Sequence, residues 1–132
     1  VHEGHEAIPA ETEVVGKSLY EAALAVHRTL GPGLLESAYE ACLAHELERR
    51  GHKVARQLVL PVVYGDIKLD AGYRIDLLID DVVVVEVKAT DSLAAIHEAQ
   101  ILTYLRLSGR RLGFLINFNV ALLKNGVRRK VL

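Results

Sequence analysis

Residues 82–85 are four consecutive valines, and Glu86-Val87-Lys88 follows them directly. No other stretch limits the possible folds as tightly. So dense a β-branched run predicts a strand, and one with no polar alternation predicts a strand covered on both faces. Side chains alternate along a strand, so Glu86 and Lys88 point the same way. A carboxylate set in an apolar wall needs a partner or a changed ionisation. Lys88 is one available partner and a divalent cation is another. Asp80-Asp81 reads as a tight turn, which makes the segment before it antiparallel to the valine strand. Asp76 then falls opposite Glu86, because both lie five residues from Asp81. Two acids beside a lysine in apolar surroundings suit a hard, oxygen-preferring cation such as Mg²⁺. The plainer alternative is an ordinary Glu86–Lys88 ion pair with Asp76 in solvent.

The rest of the chain supplies helices and strands around this element. Val15, Leu19, Ala22, Val26 and Leu30 recur at helical spacing from about Thr12 or Glu13, and Gly31-Pro32-Gly33 ends the pattern. A second helix is predicted over about 35–50, with Leu35, Ala38, Tyr39, Cys42, Leu43 and Leu47 as its apolar stripe. Residues 54–64 read as a strand with an irregularity at Pro61. Residues 67–79 read as a second strand bent at Gly72, and 82–88 as a third. A helix over about 93–108 ends at Gly109, and 112–117 is a fourth strand. Asn125-Gly126 between 121–124 and 127–132 predicts a two-residue hairpin. The expected class is α/β (α+β), a mixed central sheet flanked by helices.

Two helices add candidate site residues. Glu36 and Tyr39 lie three apart at the start of the second helix, with Glu40 close by, so a third acid beside the apolar stripe is available. Taken alone, Glu36 is as well explained as a first-turn acid favoured by the helix dipole. On the third helix Leu93, Ile96, Gln100, Tyr104 and Leu107 share one face, predicted to pack on the sheet. Gln100 and Tyr104 are then either a satisfied buried pair or groups that orient water or phosphate near Lys88. His97 lies beside that face and reads as a surface histidine, and Cys42 reads as core.

These segments together resemble the GxxExxY proteins of the PD-(D/E)XK nuclease-like superfamily. The resemblance runs from about Val14 to Leu132. It rests on Gly33-x-x-Glu36-x-x-Tyr39, on 72–77, on Glu86-Val87-Lys88, and on 97–105 with Gln100-x3-Tyr104. It implies a restriction-endonuclease-like core, with Asp76 as the acid before the metal strand and Glu86-Val87-Lys88 as the (D/E)XK motif. Ile75 stands where the superfamily name has proline. The implied metal is Mg²⁺ or Mn²⁺, held by Asp76, Glu86 and the Val87 carbonyl, with Glu36 ligating the same ion through water or helping to bind a second. Lys88 and Gln100 act on water or phosphate, and Tyr104 and Tyr39 support them. The implied substrate is nucleic acid, DNA or RNA.

Composition limits the alternatives. With 132 residues the chain fits one domain, expected over 13–132 after a polar tail over 1–12. His2, Glu3, His5 and Glu6 in that tail form a weak metal-binding pattern. No apolar run approaches a membrane span, the start does not resemble a signal peptide, and the single cysteine fits a reducing cytoplasm. A net charge of −1 excludes a strongly basic nucleic-acid coat protein. Basic residues gather at Arg49-Arg50 with Lys53 and Arg56, at Arg110-Arg111 and at 128–130. Aromatic residues are 5% of the chain, which argues against a base-stacking platform of the single-strand-binding type. High aliphatic content in a short chain leaves room for a homo-oligomer that acts as a structural or nucleic-acid-binding module.

Overall fold

The structure, a computed structural model, describes residues 7–132. Helix α1 spans Ala10–Leu30 and α2 spans Glu36–Arg49. Strands β1 (Val54–Val59), β2 (Val62–Tyr64), β3 (Ile67–Leu69), β4 (Arg74–Ile79) and β5 (Val83–Lys88) follow. Helix α3 (Ala95–Ser108) crosses to β6 (Leu112–Asn117), and a 3₁₀ turn at Leu123–Gly126 leads into β7 (Val127–Val131). One sheet holds five strands in the order β1-β4-β5-β6-β7. Only β5 and β6 run parallel, and α3 makes the crossover that a parallel pair requires. The fold is therefore α/β, with a mixed sheet flanked by helices.

The sheet is covered on both faces, as the valine run predicted. Val83, Val85 and Val87 face α1 and α2 with Leu19, Leu43 and Leu47, while Val84 faces α3 with Ile101 and Leu105. All nine are fully buried. The β4–β5 loop is the three residues 80–82, in which Asp80 (φ 50°) and Asp81 (φ 64°) are both left-handed and Val82 N–H donates to Ile79 O at 3.0 Å. That pairing of signs belongs to the tight hairpin turn whose twist matches the strands.

Asp80 also ends a chain of side chains. Ser18 Oγ on α1 lies 2.7 Å from His52 Nε2, and His52 Nδ1 lies 2.6 Å from Asp80 Oδ2. The order is that of a Ser–His–Asp relay, but Ser18 sits inside a helix whose backbone N–H groups are already bonded, so no oxyanion site accompanies it. The chain works as a strut between α1, the α2–β1 loop and the β4–β5 turn. Burial acts to raise the Asp80 pKa, but hydrogen bonds from His52 and from the Lys53 N–H outweigh it and hold the carboxyl below its ordinary value. A lowered carboxylate pKa stabilises the fold above its unfolded value and loses that stabilisation as pH falls through the folded one. His52→Ala is expected to cost about 1–3 kcal/mol at pH 7 in urea denaturation.

Four expectations change. The 54–64 and 67–79 segments each divide, because Pro61 and Gly72 interrupt them, and β2 pairs with β3 as a separate two-stranded hairpin. Asn125-Gly126 is no hairpin turn but the end of the 3₁₀ turn, and β7 pairs with β6 instead. Helix α2 buries Tyr39, Glu40, Leu43, Ala44 and Leu47, so Cys42 is exposed and Leu35 is 77% exposed. Ile96 and Leu107 are exposed rather than core, because their helix face overhangs a groove at the sheet's end. The His2–Glu6 pattern lies outside the described residues.

Candidate active site

Strand pairing places Asp76 and Glu86 as the turn arithmetic predicted. The register runs Ile79↔Val83, Leu78↔Val84 and Leu77↔Val85, which brings Asp76 opposite Glu86. The ladder stops there, and the two carboxylates take over from it. Asp76 N–H donates to Glu86 Oε2 at 3.0 Å, and Val87 N–H donates to Asp76 Oδ2 at 2.9 Å. Each acid thus binds the backbone beside the other. Glu86 is only 5% exposed. Burial and the Asp76 charge push its pKa up to about 8, against a smaller opposing pull from Lys88. Near neutral pH Glu86 therefore carries a proton that a bound cation would displace.

The Val87 carbonyl faces the same gap. Lys88 O accepts from Phe118 N–H, so Lys88 turns its backbone groups toward the β6 side. Val87, the neighbouring residue, turns its own toward β4, where no residue pairs with it. Lys88 has no ion-pair partner among the described residues and lines an open cleft of about 640 Å³. The simple Glu86–Lys88 ion pair is absent.

Across the cleft, α3 contributes Gln100 and Tyr104. Gln100 Nε2 donates to the Tyr104 hydroxyl at 3.1 Å. Burial, together with the Glu86 and Asp76 charges, raises the Tyr104 pKa and keeps the phenol neutral. His97 lines the same cleft. Its Nδ1 accepts from Ala94 N–H at 3.0 Å, so a neutral ring carries its proton on Nε2.

Two predicted residues stand apart. Glu36 is the first residue of α2 and is exposed, with no hydrogen bond into the site. Glu40, one turn further on, is the acid that the helix buries. Tyr39 is structural. Its hydroxyl donates to Gly31 O and accepts from Leu34 N–H, and its ring stacks on Phe118 at 4.6 Å. It thereby clamps the loop in which Gly33 takes φ 106°.

The residue that sequence reasoning missed is Gln57. Its Nε2 donates to Glu40 Oε1 at 2.8 Å and to Asp76 Oδ1 at 3.1 Å, so one amide bridges two acids. Arg56 holds the other Glu40 oxygen at 3.3 Å. Gln57 takes a left-handed φ of 51°, uncommon outside glycine, and the β1–β4 pairing skips the Gln57–Asp76 step. The backbone is distorted where the side chain must reach the site, as functional positions often are. Nothing local in 54–59 signals this.

A family model for the PD-(D/E)XK nuclease superfamily matches residues 13–130. The chain belongs to this superfamily. Comparison with curated proteins and with solved structures gave no match. The five-stranded mixed sheet agrees with the superfamily's restriction-endonuclease-like core. Ile75, the residue before Asp76, is fully buried against α3. No helix among the described residues is long and apolar enough to cross a membrane.

The donor set can be compared with the metal that this superfamily typically uses. Among the described residues no three acidic, histidine or cysteine side chains form a ready cage. Two carboxylates and one unpaired carbonyl converge instead, all oxygen. That set fits Mg²⁺, which is commonly bound through one or two carboxylates and completes its shell with water and substrate phosphate.

Proposed function

We propose that this PD-(D/E)XK protein is a metal-dependent nuclease that hydrolyses phosphodiester bonds. The observation that carries the reading is the pairing of buried Glu86 with half-buried Asp76, with no neutralising ion pair among the described residues and with Lys88 unpaired beside it. A structural role would bring the lysine onto the acid. Asp76, Glu86 and the Val87 carbonyl would hold Mg²⁺ or Mn²⁺, which would supply charge neutralisation at phosphate and a more acidic water. Lys88 stabilises the negative charge that builds on the phosphoryl oxygens. Gln100 spends its amide hydrogen on Tyr104 and keeps its carbonyl oxygen free to orient the attacking water. Glu40 takes the place expected of Glu36, with Gln57 setting its distance from Asp76.

The narrower likeness to the GxxExxY proteins rests on Gly33, Glu36 and Tyr39 and belongs to the same proposal, as does a cytoplasmic location. The test is cleavage of single- and double-stranded DNA and RNA with Mg²⁺ or Mn²⁺. Lys88→Ala is expected to lower the rate about 10²–10³-fold with folding intact. Asp76→Asn is expected to abolish metal-dependent cleavage. Cleavage that survives both changes retires the reading. A second reading, a homo-oligomeric assembly module, draws on the exposed Val63, Tyr64, Ile67 and Leu69 of the β2–β3 hairpin. Absence of both Mn²⁺ binding and cleavage would favour it.

A further inference from the structure

The cleft beside Lys88 also holds side chains that the cleavage chemistry leaves unused. Tyr73, Val62, Ile96 and Leu107 line it together with Lys88, Gln100 and Tyr104, and the Tyr104 hydroxyl feels the Glu86 and Asp76 charges. None of its lining residues is acidic. Tyr73 stands three residues before Asp76 and is 45% exposed. Its ring meets Tyr104 edge-on, with centroids 6.3 Å apart and planes at 63°. The Asp70–Arg74 ion pair and a hydrogen bond from Gly72 N–H to Asp70 fix the turn that carries it. At the rim, Arg106 is held to Thr103 Oγ1 at 3.0 Å, and His97 offers its Nε2. An apolar, aromatic slot edged by cations and placed next to a phosphodiester site has the chemistry of a nucleobase pocket.

The basic clusters point the same way. Tight duplex binding needs several free cations that track the backbone. Arg56, Arg74, Arg110, Arg129 and Lys130 are instead engaged in ion pairs within the chain. Arg110 pairs with Asp81 in the β4–β5 turn, at the opposite end of β5 from Lys88. Base stacking is sequence-tolerant and is available only to unpaired bases.

We infer that Tyr73 and the slot it opens form a binding subsite for an unpaired nucleobase next to the scissile phosphate, which makes single-stranded nucleic acid the preferred substrate. This inference rests on the nuclease reading for its orientation, but its test is a binding measurement. The chain has no tryptophan, so its emission comes from five tyrosines, and a stacked base quenches it directly. The full chain is titrated with a 12-nucleotide single strand and with the matching duplex, in EDTA and in Ca²⁺, with a gel to check for cleavage. Anisotropy of the labelled oligonucleotide gives the affinity.

The expected result is single-strand binding at least about tenfold tighter than duplex binding, with tyrosine quenching. Tyr73→Ala is expected to weaken it about tenfold, and Tyr73→Phe to restore it. Because Tyr73 is half-exposed, both variants should fold, and circular dichroism melts confirm it. Equal affinity for duplex, no binding of either strand form, or an unchanged Tyr73→Ala affinity overturns the inference. A protein that binds the single strand in this way yet cuts nothing in Mn²⁺ retires the nuclease reading alone.

Discussion

Glu86→Gln is expected to stabilise the metal-free protein while removing its cleavage activity. Glu86 is buried beside Asp76, and its pKa stands at about 8 against an ordinary 4.5. Between those two values the folded protein holds a proton that the unfolded chain has released. Stability therefore falls as pH rises through this window, and the full deficit is present above about pH 8. The shift corresponds to an effect of ~3–5 kcal/mol at pH 8. Glutamine keeps an oxygen for the Asp76 N–H and has no charge to bury. Thermal melts in EDTA should show wild type losing stability from pH 5 to 8, with the variant nearly flat and higher at the alkaline end. On the proposed nuclease reading the same substitution also removes a metal ligand, so calorimetry should show Mg²⁺ or Mn²⁺ binding lost and assays should show cleavage down at least about 10³-fold. In wild type, metal affinity should rise with pH up to about 8 as the competing proton leaves. A variant less stable than wild type at pH 8 would contradict this account of the site.

Gly126→Ala is expected to be among the most damaging single-methyl changes. A Cβ at this buried position would lie 2.2 Å from Asn117 O and 3.1 Å from a Val120 methyl. The first obstacle is backbone, so the chain itself must shift. The expected loss is about 3 kcal/mol or more in urea denaturation. The damage should also reach the site. Asn117 is 1% exposed, pairs with Lys88 across β5–β6, and grips Thr90 through both ends of its amide. Displacing Asn117 loosens the segment that holds Lys88, so kcat should fall along with stability. Gly113→Ala is a useful contrast. Its Cβ would meet only the side chains of Ile101 and Leu105, at 3.1 to 3.3 Å, and these can adjust.

Gly126 also shows how far the sequence can be read. Its importance was visible, but the reason was not. Asn-Gly suggests a turn with positive φ, yet Gly126 is not among the left-handed glycines, and what it provides is room for a carbonyl. Such a close approach is set by distant chain segments and leaves no local pattern. Asp76 and Glu86 were legible because a tight turn centred on Asp81 fixes antiparallel register by counting alone, Ile79 with Val83 and so Asp76 with Glu86. Lys88 followed from strand alternation. The face of α2 was legible in part: Tyr39, Leu43 and Leu47 are buried as their spacing predicts, but packing against the sheet turned Glu40 inward and Cys42 outward. Glu40 tolerates this because Gln57 and Arg56 arrive from β1, a meeting that appears only once β1 is aligned with β4. On α3 the periodicity grouped Ile96, Gln100, Tyr104 and Leu107, which do line one cleft, but the face pressed on the sheet is that of Ile101 and Leu105, with Tyr104 alone of the predicted four buried. Spacing does not distinguish a face pressed on a sheet from one overhanging a groove.

The left-handed turn of backbone at Gln57 has an effect beyond the site. β1 and β7 are the outer strands, and each leaves one row of amides and carbonyls facing water. Such rows invite another molecule to add a strand and begin a fibre. Gln57 breaks the row on β1 midway, and Arg128, Arg129 and Lys130 place three consecutive positive charges along β7. Neither margin offers a straight, uncharged template, so the conformation that serves the acids also guards this aliphatic-rich protein against edge-to-edge aggregation.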